Sequence, residues 1–503
     1  MSDLGMTAHS VRRALPDPRR SDNVVYNPSR EQLREFSTAL ETTTEFGSPS
    51  YVSDERSRTA DRTRNAVDDE FTEADYGLVE TAVERAGETD LLCLDRVMGR
   101  HEEHTYVCRY YVPKRYGRIA LAWANLFEPA PADSDPDFVT VQLPDHDETA
   151  IRVLPEEGVT AVLGSDYTGE AKKSFLRLYM YHAKRAGGLG LHAGSKRVRL
   201  VEDGEPREVG QLFLGLSATG KSTLTAHGLW LDDPESATML QDDVCALLPD
   251  GTVAGSEGEG LYVKTIGLDE AEQPAMYEAV TDESAVLENV DVADDGTVDF
   301  DSDRHTSNGR AAIRREDLDS AGEEIDLDAV DQVFFITRNP LMPPVAKLSP
   351  EEAAAAFMLG ESIQTSAGDP SAAGESIRVV GTNPFIMGSK GEEGNRFREL
   401  VADLDVDCYV INTGEIGPGE RDVGVEESVT ILRELARGTV EWTDDEQMGM
   451  TLPSHVPGLD VDDYYVPDHV AEFDAAQREL RAERRAYLAS FEDLADDIAD
   501  AVY

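Results

Sequence analysis

The chain has 503 residues, which is enough for two or three domains and a large core. It carries 100 acidic against 46 basic residues, and the resulting net charge of −54 excludes nucleic acids and anionic membranes as expected partners. Because 40% of the residues are hydrophobic and 29% are charged, the composition also excludes a disordered acidic chain.

Only nine of the basic residues are Lys. An acid-rich, Lys-poor folded protein is typical of a salt-loving organism, in which ions screen the repulsion between surface carboxylates. Scarce lysines are also more informative, and four of the nine lie in the motifs described below: Lys172, Lys173, Lys221 and Lys264.

The cysteines and the apolar runs indicate the compartment. The four cysteines are far apart, lie beside apolar residues and form no C-x-x-C pair, so we expect buried free thiols in a reducing compartment. No apolar run approaches the roughly 18 residues of a membrane helix, and the N-terminus lacks an apolar signal core. We therefore expect a cytoplasmic protein with no membrane partner. We also expect a monomer, an expectation that does not follow from these features.

The N-terminal part of the chain predicts a tail and then a mixed region. Residues 1–22 are polar and Arg-rich and predict a flexible tail. Ser29 is a candidate cap for a helix over residues 29–39, and residues 73–85 have the period of an amphipathic helix. Apolar or alternating runs predict strands or buried segments at residues 91–94, 106–112, 119–126, 138–143 and 151–154.

Two basic features interrupt this acidic sequence. The stretch SRTADRTR around Arg58 predicts either a solvated loop or an anion-binding loop. The stretch YTGEAKKSF places Tyr167, Lys172 and Lys173 at the start of a helix that is expected to reach about residue 185. Two lysines there oppose the helix dipole, so they indicate a nearby anion or metal unless they form a solvated pair.

The most specific motif is QLFLGLSATGKSTL, in which Gly215, Gly220, Lys221 and Ser222 follow the spacing G-x-x-x-x-G-K-S. Such a loop turns backbone N–H groups toward phosphate oxygens, with the Lys on the terminal phosphates and the hydroxyl on Mg²⁺. An apolar strand precedes the motif, and a helix is predicted over residues 223–230. We therefore predict a nucleotide site rather than a Gly-rich turn with an exposed Lys.

Two further features suit metal binding. A strand predicted over residues 237–241 ends on Asp242 and Asp243, and acids at such a position suit Mg²⁺ or Mn²⁺, whereas the alternative is a turn cap. His192 follows an apolar segment, where a single His is either a buried core residue or a ligand.

The rest of the chain alternates strands and helices, which predicts an α/β protein whose nucleotide domain starts near residue 190. Arg421 lies in a Gly-rich loop of this part. The predicted elements are a hairpin at 247–253, a strand with Lys264 at 257–265, a hairpin at 286–300, a strand at 333–337, a helix at 349–359, a strand at 409–412 and a charged helical tail at 468–502.

Taken together, these motifs resemble the ATP-dependent phosphoenolpyruvate carboxykinase family, over residues 23–460. The resemblance is carried, in order, by VVYNPS (24–29), YTGEAKK (167–173), LHAGS (191–195), LGLSATGKSTL (214–224), QDD (241–243), EGLYVKTI (259–266), LENV (287–290), DGTVDFD (295–301), PPVAKLSPEEA (343–353), INTG (411–414) and TLPSHVPGLD (451–460). Each motif alone is weak, but the order and spacing of the set are specific.

The resemblance implies an α/β fold with an N-terminal substrate-side domain over residues 23–187, a C-terminal P-loop domain for the mononucleotide over residues 188–503, and the active site in the cleft between them. It implies conversion of oxaloacetate and ATP to phosphoenolpyruvate, ADP and CO₂, as used in gluconeogenesis. It also implies Mn²⁺ as a cofactor and Mg²⁺ that is bound with ATP.

The resemblance further implies roles for single residues. Arg58 is expected to hold the substrate carboxylate, and Tyr167 to line the pocket for substrate and CO₂. Lys221 and Arg310 are expected around the transferred phosphoryl group, and Arg421 near the nucleotide.

The implied residue sets overlap. The catalytic set is Lys172, Lys173, Lys221, Asp242, Asp243 and Arg310. The substrate-binding set is Arg58, Tyr167, Lys173 and Arg310, and the metal ligands are Lys173, His192 and Asp243 for Mn²⁺ with Ser222 for Mg²⁺. The ATP-binding set is Gly215, Leu216, Ser217, Ala218, Thr219, Gly220, Lys221, Ser222, Thr223, Lys264, Arg310, Arg421 and Ser428.

The implied reaction requires these residue types. Loss of CO₂ from oxaloacetate leaves an enolate, whose charge a divalent cation stabilises, and the enolate oxygen then attacks the γ-phosphoryl group. Phosphoryl transfer depends mainly on positioning and charge neutralisation, which cationic side chains supply. A Lys ligand must lose its proton to bind a metal, so the affinity for Mn²⁺ is expected to fall as the pH drops.

The sequence departs from the usual family pattern at several positions. Ala218 replaces a Gly, Ser222 replaces a Thr, and Ser57 replaces the Gly before the substrate Arg. VCAL at residues 244–247 replaces Glu-His-Gly-Trp, and SAGDPSAAG at residues 366–374 replaces a Thr-rich segment.

Two alternative functions stay open. One is a kinase of the same fold that phosphorylates another small acid, which would not need Arg58 together with Tyr167. The other is a non-catalytic nucleotide-binding regulator, which would not need a second metal.

Overall fold

The computed structural model describes residues 8–54, 59–68, 70–216, 219–271, 273–363 and 376–503. Over these residues the chain is a mixed α/β protein, as predicted. It divides into two compact units: unit 1 comprises Met1–Tyr181 and Ser256–Asp319, and unit 2 comprises His182–Gly255 and Ser320–Tyr503.

This division differs from the domains expected at residues 23–187 and 188–503, because Ser256–Asp319 groups with unit 1. The strand Val286–Glu288 of this segment pairs in parallel with the strand Pro49–Tyr51. Sequence periodicity is a local signal and does not reveal a pairing across so long a stretch of chain. The substrate-side and nucleotide-side roles of the two domains, and the cleft between them, stay predictions.

The described residues form helices and strands with the following bounds. The helices are α1 (Ala8–Ala14), α2 (Arg30–Glu35), α3 (Glu73–Glu88), α4 (Gly117–Ala124), α5 (Thr168–Arg185), α6 (Lys221–Ala226), α7 (Pro274–Thr281), α8 (Pro350–Leu359), α9 (Lys390–Asp403), α10 (Val425–Arg437), α11 (Val466–His469), α12 (Phe473–Leu488) and α13 (Asp496–Asp500). The strands are β1 (Val24–Tyr26), β2 (Thr42–Thr43), β3 (Pro49–Tyr51), β4 (Thr63–Asn65), β5 (Leu91–Met98), β6 (Tyr106–Pro113), β7 (Glu128–Pro129), β8 (Phe138–Leu143), β9 (Ala150–Leu154), β10 (Val159–Leu163), β11 (Leu189–Leu191), β12 (Ala193–Glu202), β13 (Glu205–Gly215), β14 (Ser236–Gln241), β15 (Cys245–Leu247), β16 (Val253–Gly255), β17 (Gly260–Lys264), β18 (Val286–Glu288), β19 (Asp291–Val292), β20 (Val298–Asp299), β21 (Arg310–Arg314), β22 (Gln332–Thr337), β23 (Val345–Leu348), β24 (Glu361–Ile363), β25 (Ser376–Arg378), β26 (Asp407–Asn412), β27 (Glu415–Ile416), β28 (Arg421–Asp422), β29 (Glu441–Asp445) and β30 (Met450–His455).

Several helices begin where the sequence predicts. Ser29 and Ser349 accept hydrogen bonds from backbone N–H groups of the first turn and cap α2 and α8. Helix α5 covers the expected range, whereas α2 ends at Glu35 and is shorter than predicted. Local capping signals are therefore a better guide to where a helix begins than to where it ends.

The N-terminal segment differs from the flexible tail expected over residues 1–22. From residue 8 the chain forms α1, and Val11 within it and Leu15 directly after it are buried in the same apolar cluster as Val79 and Val83 of α3. Two apolar residues four positions apart are enough to anchor this segment, which its polar composition conceals.

Among the described residues, unit 1 contains two main sheets. The first has the strand order β1–β5–β6–β8–β10–β9–β4, with β7 paired to β5. The apolar segment predicted as a strand or a buried segment at residues 119–126 is the buried helix α4. The second sheet has the order β17–β21–β18–β3–β2, so the hairpin expected over residues 286–300 is confined to β19 and β20.

Unit 2 is built on a sheet with the order β14–β12–β13–β22–β26–β23–β30–β29. β13, β22 and β26 are parallel neighbours, so their carboxyl ends meet at one edge. Buried apolar residues cover both faces, with α8 and α12 in one cluster and α6 and α10 in the other. Open α/β sheets bind ligands at the edge where their parallel strands end, and the G-x-x-x-x-G-K-S motif begins there, at the end of β13.

The charged segment over residues 468–502 is largely helical, as predicted, and packs into this unit. Leu480, Leu488 and Ile498 are buried in the cluster that also contains α8. Arg484 is 1% exposed and its guanidinium lies 2.8 Å from a carboxylate oxygen of Glu361. A charged sequence can therefore contribute to a core when its charges are paired.

The four cysteines are free and buried, as predicted. Burial raises the pKa of the Cys245 thiol to about 12. In the part of the chain that the structure describes, no helix has the length and apolar character needed to cross a membrane.

Candidate active site

The phosphate-loop motif has the expected strand before it and the expected helix after it. β13 ends at Gly215 and α6 begins at Lys221. Gly220 precedes the helix with φ of +94°, a backbone conformation that Gly adopts without strain. Helix α6 ends at Ala226, before the predicted limit at residue 230.

The far end of the loop is fixed by hydrogen bonds. Thr219 donates from its backbone N–H and its hydroxyl to the Leu216 carbonyl, at 3.2 and 2.8 Å. Thr413, just beyond β26, donates its hydroxyl to the Thr219 carbonyl at 2.7 Å. Ser222 and Thr223 are exposed on the first turn of α6. Ser217 and Ala218 lie outside the described residues.

Lys221, His192 and Asp243 come together in unit 2. The Lys221 Nζ lies 3.7 Å and the His192 Nε2 lies 3.0 Å from the same oxygen, Oδ1 of Asp243. The buried Nζ of Lys221 and the buried Oδ1 of Asp242 have no hydrogen-bond partner among the described residues. A buried polar atom without a partner costs free energy, so this is a site where a ligand would be stabilising.

The orientation of His192 fits metal binding. Its Nδ1 lies 2.7 Å from the carbonyl oxygen of Thr382, which can only accept, so Nδ1 carries the proton. The lone pair of Nε2 then faces Oδ1 of Asp243, 3.0 Å away. Because Nε2 and Oδ1 are both acceptors, so short a distance is stabilised by a proton or a cation between them. A backbone carbonyl on the second nitrogen is the usual partner of a metal-bound His.

His192 and Asp243 alone do not complete a metal site. Among the described residues, no three or more His, Cys, Asp and Glu side chains are arranged to hold a metal ion. The family resemblance implies the Lys173 amine as a further ligand, which stays a prediction.

The adjacent lysines of unit 1 lie in different surroundings. The Lys172 Nζ is 3.0 Å from a carboxylate oxygen of Glu257, and both side chains are buried. The Lys173 Nζ is 3.1 Å from Glu170 and 5.4 Å from the centroid of the Tyr167 ring, and its side chain is 30% exposed. Neither lysine is a solvated surface residue, which removes that alternative.

Glu170 is a buried anion that the motif did not single out. Burial alone would raise the pKa of Glu170, but the neighbouring charges of Lys173 and Arg177 lower it to about 2. Its Oε1 also accepts a hydrogen bond from the Thr59 hydroxyl at 2.6 Å. This hydrogen bond connects Thr59 to α5, the helix that carries Lys173. Arg58, which precedes Thr59, lies outside the described residues.

Strands β17 and β21 present further site residues in unit 1. Lys264 and Arg310 lie directly opposite each other on these antiparallel strands. Two cations in such a pair are unfavourable unless an anion lies against them. The Arg310 Nη2 donates to Asn308 at 3.0 Å, and Asn308 in turn donates to the Tyr167 hydroxyl at 3.2 Å.

Tyr262 and Glu288 support this part of the site. The Tyr262 ring lies 5.6 Å from the guanidinium carbon of Arg310, and its hydroxyl donates to Glu288. The same carboxylate accepts from the backbone N–H and the hydroxyl of Thr168, both at 3.0 Å, at the start of α5. Burial raises the pKa of Glu288.

The residues expected near the nucleotide base have local partners. The guanidinium of Arg421 lies 4.4 Å from the centroid of the Tyr464 ring and donates to its hydroxyl at 3.0 Å. Ser428 is 1% exposed, and its hydroxyl donates to the Gly424 carbonyl at 2.9 Å. The ATP contact expected of Ser428 stays a prediction.

Sequence reasoning missed several of these partners. Tyr262 precedes Lys264 by two residues, and Asn308 precedes Arg310 by two. Residues two apart in a strand share one face, so the strand predicted around Lys264 offered a signal for Tyr262. Glu170, Glu288 and Thr382 carried no such signal, because their importance depends on contacts with residues distant in the sequence.

Comparison with known proteins identifies the family. The family profile described as phosphoenolpyruvate carboxykinase matches residues 25–462. The phosphoenolpyruvate carboxykinase (ATP) of Aeropyrum pernix is 36% identical over 481 residues, which cover 93% of this chain and 95% of that protein. The proteins of the same name from Chelativorans sp. and Rhodopseudomonas palustris are 30% and 29% identical, over 62% and 75% of this chain and 57% and 73% of their own lengths. The chain therefore belongs to the phosphoenolpyruvate carboxykinase (ATP) family.

Proposed function

We propose that this protein converts oxaloacetate and ATP to phosphoenolpyruvate, ADP and CO₂. Membership of the family supports the reaction class. The observation that carries the proposal is the meeting of Lys221, His192 and Asp243 beside the G-x-x-x-x-G-K-S motif, with the buried Lys221 ammonium lacking a hydrogen-bond partner among the described residues. An anion at that position supplies the missing partner.

The nucleotide is proposed to bind in unit 2. Its phosphates accept from the backbone of the loop, and Lys221 neutralises charge on the terminal phosphates. The exposed hydroxyl of Ser222 is proposed to hold the Mg²⁺ that accompanies ATP. Arg421, which stacks on Tyr464, is proposed to lie beside the base.

Oxaloacetate is proposed to contact residues of unit 1. Arg58 holds a carboxylate of the substrate, and Tyr167 lines its pocket. Lys264 and Arg310, directly opposite each other, supply positive charge for the phosphoryl group in transfer. The buried anions Glu170 and Glu288 hold Lys173 and Tyr262 in place and so orient this surface.

Lys173, His192 and Asp243 are proposed to hold Mn²⁺, which when bound supplies a Lewis acid for the enolate charge. His192 binds through Nε2, since its Nδ1 donates to Thr382. Lys173 binds as a neutral amine, so it must first release the proton that it shares with Glu170. The geometry of the His192–Asp243 pair supports two of these three ligands.

The reaction is tested by measuring phosphoenolpyruvate and ADP formed from oxaloacetate with Mn²⁺ in high salt, comparing ATP with GTP. We expect one ADP for each phosphoenolpyruvate, with ATP preferred. ADP formation without phosphoenolpyruvate, or with another small acid and not with oxaloacetate, would support the rival kinase. MgATP binding without turnover would support the non-catalytic regulator.

Arg58→Gln separates the carboxykinase from the kinase of the same fold. Loss of a charge-assisted pair of roughly 1.5–3 kcal/mol should raise the KM for oxaloacetate about 10- to 100-fold and leave the affinity for MgATP unchanged. The neighbouring Arg62→Gln is the matched control. Equal effects of Arg58→Gln on both ligands, or none, would remove Arg58 from the substrate site.

A further inference from the structure

Lys196 is a buried lysine of unit 2 that none of the proposed roles uses. It lies on β12 and its side chain is fully buried. Its Nζ donates to the carbonyl oxygens of Leu224 and His227, at 2.5 and 2.7 Å. These carbonyls belong to the last turn and the C-cap of α6, the helix that begins with Lys221.

Helix α6 is too short to hold its own position. It has six residues, whereas isolated helices below roughly 12 residues are marginal, so its placement depends on tertiary contacts. The carbonyls at its C-terminal end have no partner within the helix, and a hydrogen-bond donor there is the favourable complement. Lys196 supplies that complement inside the core, close to the Phe213 ring.

A second contact between the same strand and helix lies two residues earlier. At Gly194 an added Cβ would meet the Thr225 hydroxyl oxygen at 2.3 Å, so only Gly allows this approach. The Thr225 hydroxyl in turn donates to the Lys221 carbonyl at 2.8 Å. Because side chains alternate along a strand, Gly194 and Lys196 lie on one face of β12, toward α6.

The same strand begins beside His192. His192 immediately precedes β12, and its Nε2 and the Lys221 Nζ both approach Oδ1 of Asp243. One strand therefore connects the candidate metal ligand to the C-terminal half of the helix that carries the candidate phosphate ligand.

We propose that Lys196 is a positioning residue for the phosphate and metal site: by holding the C-terminal carbonyls of α6 against β12, it fixes Lys221 and Ser222 relative to His192 and Asp243. The inference rests on the nucleotide function proposed above. It assigns Lys196 no contact with nucleotide, substrate or metal.

The test is Lys196→Met, which keeps the length and apolar stem but removes the donor. Displacement of the phosphate ligands should lower kcat about 10- to 100-fold and raise the Kd for MgATP about tenfold, with the KM for oxaloacetate unchanged. Phe397→Leu, in the other apolar cluster of unit 2, is the control for lost stability. Lys196→Gln, which can donate one of the two hydrogen bonds, should recover part of the loss.

Gly194→Ala disturbs the same helix from the second contact and should change kcat and the Kd for MgATP in the same direction. If Lys196→Met only lowers the melting temperature, as Phe397→Leu does, and binds MgATP normally, the positioning role is overturned. If Lys196→Met does not fold, normal MgATP binding by both Lys196→Gln and Gly194→Ala overturns it. Normal MgATP binding by Lys221→Met would instead overturn the phosphate-loop function itself.

Discussion

Lys172 and Lys173 in unit 1 lie within hydrogen-bond distance of carboxylates, whereas Lys221 in unit 2 has no hydrogen-bond partner among the described residues. In unit 1, Glu257 pairs with Lys172 and Glu170 pairs with Lys173. In unit 2, the Lys221 ammonium lies 3.7 Å from Oδ1 of Asp243, beyond hydrogen-bond distance.

This difference separates two uses of charge. A buried ion pair that is fully hydrogen-bonded rigidifies its surroundings, and breaking it leaves an uncompensated charge. A buried charge without a partner is tolerated mainly where a ligand provides one, and such local costs concentrate at functional sites. The lysines of unit 1 thus belong to hydrogen-bonded ion pairs, and we propose that the Lys221 charge of unit 2 serves a ligand.

The comparison is tested most severely by Lys221→Met. Because the ammonium has no hydrogen bond to lose, the melting temperature should stay close to that of the wild type, whereas kcat should fall at least about 100-fold. Turnover and thermal unfolding are measured on the same preparation. Lys347→Met, which changes a partly exposed lysine of β23 outside the candidate site, is the control. Near-normal turnover would contradict the phosphate-loop assignment.

Glu170→Gln should produce the opposite pattern, in which stability is lost. Removing this carboxylate leaves Lys173 and Arg177 without their buried anion, at a cost of about 3 kcal/mol in the free energy of unfolding. The measurement is urea unfolding at pH 7. An unchanged free energy of unfolding would show that the ion pairs of unit 1 do not organise it.

The pH dependence of the same variant sharpens this result. The pKa of Glu170 is about 2 in the folded protein, below its ordinary value, so its stabilisation is present above about pH 4.5 and is lost as the pH falls toward 2. The stability difference between wild type and Glu170→Gln should therefore shrink on acidification. A difference that stays constant from pH 5 to pH 3 would contradict the assignment of this charge.

Lys173→Arg tests whether one cation of unit 1 also serves a ligand. Arg keeps the positive charge near Glu170 but cannot be deprotonated, so it cannot bind a metal. Activation by Mn²⁺ should be lost, at least about tenfold in kcat, while MgATP affinity stays within about twofold. Lys184→Arg, on the same helix, is the control. Retained Mn²⁺ activation would leave Lys173 with a structural role alone.

Salt should affect the two kinds of charge differently. The net charge of −54 opposes compaction, so the melting temperature should rise by at least about 5 °C between low and molar KCl. The buried Glu170 ion pairs are screened much less, so the effect of Glu170→Gln on stability should change little. A melting temperature that does not rise would count against adaptation to high salt.

Local signals account for what could be predicted from the sequence. Ser29 and Ser349 cap helices, α5 carries the lysine pair, and a strand and a helix flank the G-x-x-x-x-G-K-S motif, because each depends on a few adjacent residues. The family resemblance implied Lys173, His192 and Asp243 as one ligand set, and of these three the structure shows His192 and Asp243 together within unit 2.

The remainder depends on contacts between distant parts of the chain. Lys196 meets the helix end only because β12 and α6 pack together, and Glu288 meets Thr168 across 120 positions of sequence. Neither residue belongs to a motif whose spacing defines a ligand. Interior polar partners of this kind follow from the assembled fold and are not visible in periodicity.

The pairing of β18 with β3 has a consequence for synthesis of the protein. At translation rates of about 5–20 residues per second, Val286 leaves the ribosome on the order of 10–50 s after Tyr51. During that interval β3 has its hairpin neighbour β2 on one side, while the backbone groups facing β18 stay unpaired on the other. An unpaired strand edge can pair with strands of other chains. The nascent chain is therefore prone to aggregate until β18 has been synthesised and can pair with β3.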